Sequence, residues 1–118
     1  MKSSESLVRL KQFQVNDKRR QLEQIQLMMS EFERMSAELE YQIAAEEKKS
    51  GISDSTHFAY PTFAKAARQR SDNLQGSIRE LRIQQDAAAI AVSEAEAELE
   101  KAAALEGSDS SGRPSKVG

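Results

Sequence analysis

Few side chains in this sequence have the chemistry of a catalyst or a metal ligand. His57 is the one histidine, and Ser53, Asp54 and Ser55 stand just before it. These are the residue types of a nucleophile, a base and an orienting carboxylate, but their spacing assembles neither a triad nor a metal site. There is no cysteine, so disulfides and thiolate sites are excluded. The alternating Glu94, Glu96, Glu98 and Glu100 lack the glycine and ligand spacing of a calcium loop and read as a solvated helix face. The Lys18–Arg20 run is short and flanked by acidic residues, which favours a solvated face or interhelical pairing over nucleic acid. The expectation is a non-enzyme with no cofactor and no metal.

The less ordinary chemistry is aromatic. Residues 57–70 read HFAYPTFAKAARQR, and Phe58, Tyr60 and Phe63 in that stretch are half of the six Phe and Tyr in the chain, which has no Trp. They surround Pro61 at what reads as a bend. Two roles fit such a cluster: a local cap over the end of a packed seam, or a docking site for a partner.

The elements that carry this cluster follow from periodicity. From Val8 a 3–4 spacing runs through Val15, Leu22, Ile25, Met29, Phe32, Leu39 and Ile43, with Lys11, Lys18 and Ser36 as polar interruptions. Lys48 and Lys49 suit the negative end of a helix, and Gly51 readily takes the left-handed conformation that stops one. A second stripe runs through Ala67, Leu74, Ile78, Leu81, Ala88, Val92, Ala95, Leu99 and Ala102, interrupted by Ser71 and Gln85. Pro61 suits its first helical position. The spacing therefore predicts an all-α fold: a helix over about 4–50, a tip over about 51–60, a helix over about 61–106, and a disordered tail over 107–118, whose GSDSSGRPSKVG is small, polar and rich in breakers.

So short a connection joins antiparallel neighbours, giving a long two-helix coiled-coil hairpin. Charge agrees with this. Residues 1–20 carry six cations against two carboxylates, and residues 86–106 carry six carboxylates against one cation. Antiparallel packing sets the two clusters side by side. Pairing the stripes gives partners whose numbers sum to about 110, such as Val15 with Ala95, Met29 with Leu81, and Ile43 with Ala67, so that large residues meet small ones.

With 31% charged and 38% hydrophobic residues in 118, one elongated domain is expected rather than a multilayer core. The N-terminal stretch has charges throughout and no apolar run, so neither a signal peptide nor a membrane span is expected, and the default location is cytoplasmic. A net charge of −2 argues against general nucleic-acid binding. The hairpin is expected to be monomeric, with dimerisation through its exposed outer faces as the alternative.

The LVRLKQFQVNDKRRQLEQ helix, the central GISDSTHFAYPTFAKAA tip and the alanine- and glutamate-rich return helix resemble the FliJ family, the small coiled-coil component of the flagellar type III protein export apparatus. The resemblance covers roughly residues 4–106, and its distinctive part is the spacing of His57, Tyr60 and Phe63. It implies a non-catalytic stalk, peripheral to the inner-membrane apparatus, that links the export ATPase ring to the cytoplasmic domain of the export gate and supports motility, with export chaperones as further partners. It also implies a gate-facing surface at Tyr41, Phe58, Tyr60, Phe63, Ala67 and Leu74. A ring-facing end would comprise Leu7, Arg9, Leu10, Lys11, Arg19, Arg20 and Leu105. The alternative from another class is a holdase or escort chaperone that grips apolar client segments.

Overall fold

The structure, a computed structural model, describes residues 3–112. Two helices account for nearly all of it: α1 at Ser3–Ser50 and α2 at Thr62–Gly112, joined by residues 51–61. They form the predicted helical hairpin, with no strand among the described residues.

The end of α1 follows the expected chemistry. Gly51 has φ of 76°, and its N–H donates to the Glu47 carbonyl at 2.9 Å, closing a left-handed cap. The Ser50 hydroxyl also donates to that carbonyl at 3.1 Å and accepts the Ile52 N–H at 3.1 Å.

The start of α2 differs by one residue from the expectation. The Pro61 carbonyl accepts the Lys65 N–H at 3.0 Å, so proline caps the helix and Thr62 is its first residue. At its other end α2 continues six residues beyond Glu106, to Gly112, where a disordered tail was expected from residue 107. Serine, aspartate and glycine lower helix propensity without forbidding the conformation. The rest of the expected tail, 113–118, lies outside the described residues.

The chain divides into two units. In the tip unit, Ile25–Gln84, the buried positions are Met29, Ser36, Leu39 and Ile43 on α1 and Ala64, Ala67, Ser71, Ile78 and Leu81 on α2. Their 3–4 spacing is the a and d pattern of an antiparallel coiled coil. Leu39, Ile43 and Ala67 form one buried cluster with Leu74 packed against it. The polar interruptions Ser36 and Ser71 are buried and satisfied across the seam. Ser71 Oγ donates to Glu40 Oε1 at 2.7 Å, and Gln75 Nε2 donates to Ser36 Oγ at 2.7 Å.

In the second unit, residues 1–24 with 85–118, Val15 is fully buried and Ser4 and Ala102 nearly so. Val8, Leu22, Val92, Ala95 and Leu99 are half-buried. Of the opposed charge clusters, Arg19 reaches Glu96 across the helices at 2.6 Å, whereas Arg20 turns to Asp17 and Lys101 to Glu98 on their own helices.

Candidate functional site

The tip is built from a stack of short-range bonds. Asp54 Oδ1 accepts the Thr56 N–H at 3.0 Å and the Thr56 hydroxyl at 2.7 Å, fixing the chain's first reversal. These bonds, the hydroxyl's first, hold the Asp54 carboxyl below its ordinary range. The His57 N–H donates to the Asp54 carbonyl at 3.1 Å, and the His57 carbonyl accepts the Tyr60 N–H at 3.0 Å. His57 Nδ1 accepts the Ala59 N–H at 3.0 Å, so the imidazole is part of the turn. Among the described residues, no group of three His, Asp or Glu side chains could hold a metal ion.

Tyr60 is the keystone of this bend. Its side chain is buried, 7% exposed, at the end of the seam. Its hydroxyl donates to Glu47 Oε2 at 2.7 Å and accepts Arg68 Nε–H at 2.8 Å, while Arg68 Nη2 reaches the same Glu47 oxygen at 2.8 Å. The Arg68 guanidinium also lies 5.9 Å from the centre of the Tyr60 ring. One carboxylate, one phenol and one guanidinium thus clamp the end of α1 to the start of α2. Hydrogen bonds from Arg68 and then Tyr60 hold the Glu47 carboxyl below its usual range. Burial, followed by the bond to Glu47, pushes the Tyr60 hydroxyl up. The Arg68 guanidinium is held charged chiefly by Glu47.

This arrangement splits the expected gate-facing residues. Tyr60 and Ala67 lie inside the seam and Leu74 is half-buried on its edge, so they hold the hairpin and offer little surface. An aromatic with a polar handle belongs where one end can be buried and the other bonded, which Glu47 and Arg68 permit at position 60. Phe58 is 97% exposed and stacks on His57 with ring centres 4.8 Å apart. It therefore does not cover the seam, as a capping role would require. Phe63 is about half exposed, and Tyr41 is 77% exposed on the outward side of α1, two residues from both Leu39 and Ile43. Of the ring-facing residues, Leu10, Arg9 and Leu105 are exposed, Leu7 and Lys11 are half-buried, and Arg19 and Arg20 carry the ion pairs described above.

Comparison with family models, curated proteins and solved structures finds no match for this chain. The site therefore rests on its own geometry. That geometry includes residues that sequence reasoning passed over. Glu47 and Arg68 lie outside the apolar stripes, yet both flank the seam at the last layer before the bend, where they meet at 2.8 Å. Beside the seam, Met35, Leu39 and Leu74 floor an open groove of about 460 Å³ rimmed by Glu38, Gln42 and Arg70. No helix among the described residues is long and apolar enough to cross a membrane.

Proposed function

We propose that this chain is a non-catalytic, stalk-like component of a flagellar type III protein export apparatus, peripheral to the membrane and joining the export ATPase ring to the cytoplasmic domain of the export gate. The observation that carries this reading is Phe58, an almost wholly exposed aromatic on a bend that the Tyr60–Glu47–Arg68 clamp holds in one conformation. A preorganised aromatic offers contact area with little ordering cost on binding. The resemblance of the helices and tip to the FliJ family supplies the identity of the partners. The exposed Leu10 and Leu105, with the basic start of α1, form the ring-facing end in this reading.

Binding of the full-length chain and of its Phe58→Ala, Phe63→Ala variant to the isolated gate domain tests the proposal. The variant is expected to bind at least tenfold more weakly, a loss of about 1.4 kcal/mol, while keeping wild-type helicity. Wild-type affinity in the folded variant overturns the docking role. A chaperone reading draws on the groove floored by Met35, Leu39 and Leu74, because methionine adapts to varied apolar segments. It predicts protection of several unrelated aggregating clients, and Met35→Glu abolishes that protection without affecting gate binding.

A further inference from the structure

The seam leaves α2 with a second apolar line. Leu81, Gln85, Ala88 and Val92 are seam positions, buried or half-buried. Ile83 and Ile90 sit two residues from those positions on either side, at the outermost point of the heptad, and are 69% and 60% exposed. Continuing by sevens, the same line carries Gly76, Ala97 and Ala104. Because the seam positions of α2 also repeat every seven residues, each residue of this line holds the same place in the heptad. Two large isoleucines near the middle with small residues at both ends are unlike a solvated helix face, which carries charges there.

We propose that a second copy of this chain docks antiparallel on this face, about a two-fold axis at Ile90. A two-fold contact must be self-complementary, and this line is so in size. Ile90 meets Ile90 of the other copy, Ile83 meets Ala97, and Gly76 meets Ala104. Charge selects the same register independently. In an antiparallel pair, residues three positions after the central line meet their counterparts on one flank, and residues four positions after it meet on the other. Arg79 then faces Glu100, and Glu80 faces Lys101, each pair occurring twice, while Asp86 faces Ser93 and Glu94 faces Ala87. No like charges meet.

Sliding the copies by one heptad destroys this match. In one direction Asp86 meets Asp86 and Glu80 meets Glu94; in the other Asp86 meets Glu100 and Glu94 meets Glu94. Like-charge contacts of this kind exclude alternative pairings. Gly76 lies on the same face opposite Ala104, where the end of the Arg79 side chain, 3.7 Å from the place of a Cβ, must turn aside for the partner helix. One helix from each copy buries a small area, so the dimer is weak, concentration-dependent and salt-sensitive. The inference is independent of the export reading.

The chain contains no cysteine, so single cysteines report this contact directly. Oxidation of Ile90→Cys is expected to give a disulfide-linked dimer. Ile83→Cys alone remains monomeric, and a mixture of Ile83→Cys with Ala97→Cys gives the mixed dimer. In sedimentation equilibrium, Ile90→Glu is expected to raise the dimer dissociation constant at least tenfold. Arg79→Glu weakens dimerisation, and adding Glu100→Arg in the same chain restores it. Circular dichroism confirms folding, since every substituted side chain faces outward. A wild-type chain that stays monomeric at every concentration overturns the proposal, as does Ile83→Cys linking to itself as readily as Ile90→Cys.

Discussion

Tyr60 and Phe58 are two residues apart and nearly alike in sequence terms, yet one is buried and the other almost fully exposed. The difference lies in the hydroxyl and its two partners. Tyr60→Phe keeps the ring and removes the bridge between Glu47 and Arg68, and is expected to cost about 1 kcal/mol, read as a melting temperature lower by about 4–8 °C. Phe58→Ala is expected to leave the melting temperature unchanged. Equal effects of the two would mean that the phenol is not bonded as described. The Glu47 carboxyl also gives the clamp a pH dependence. Its folded-state affinity for protons lies below that of the unfolded chain, whose carboxyl titrates near about 4.3. Its contribution is therefore complete above that value and is lost as pH falls through the lower, folded one. Melting followed from neutral to acid should show a steeper loss below about pH 4 in the wild type than in Glu47→Gln.

At the scale of the element, the helical stripes were legible because every seam layer repeats at heptad spacing, and burial at Val15, Met29, Leu39, Ile43, Ala67, Ile78, Leu81 and Ala102 follows them. The α1 stop was legible for a similar reason, since few residues other than glycine adopt its conformation. Gly51→Ala is expected to cost about 1–2 kcal/mol because φ there is positive. Gly76 gives the opposite outcome. A methyl group there would meet only the end of the Arg79 side chain, at an ordinary 3.7 Å, so Gly76→Ala is expected to gain about 1 kcal/mol when melted at low concentration. A loss at Gly76 would point to a tertiary constraint on the helix. The last residues of α2, 107–112, lie beyond the apolar stripe, so no periodicity marked them as helix. The clamp was invisible for a different reason: a lone glutamate or arginine beside a seam looks solvated until its opposite number is known.

For the molecule as a whole, the two units differ in how well they bury their own seams. The tip unit has a buried cluster and satisfied polar layers, whereas the other unit has few fully buried side chains and several half-buried ones. Local opening costs least where few apolar contacts hold the backbone. Amide exchange is therefore expected to be slowest around Ser36–Ile43 and Ala67–Ile78, and faster around Leu22 and Val92–Leu99. Uniform protection along both helices would contradict that difference. The Arg19–Glu96 pair does little to offset it, because an exposed ion pair contributes at most about 1 kcal/mol.

Within the tip unit, the bonds that cross the seam share a flank. Gln75 to Ser36, Ser71 to Glu40, and Arg68 and Tyr60 to Glu47 lie on one side, and the groove over Met35, Leu39 and Leu74 lies on the other. The stitched side acts as the spine of a book and the groove side as its fore-edge. A ligand that pries these helices apart will therefore splay them about the spine, keeping the hydrogen-bonded edge closed while the apolar pages fan open.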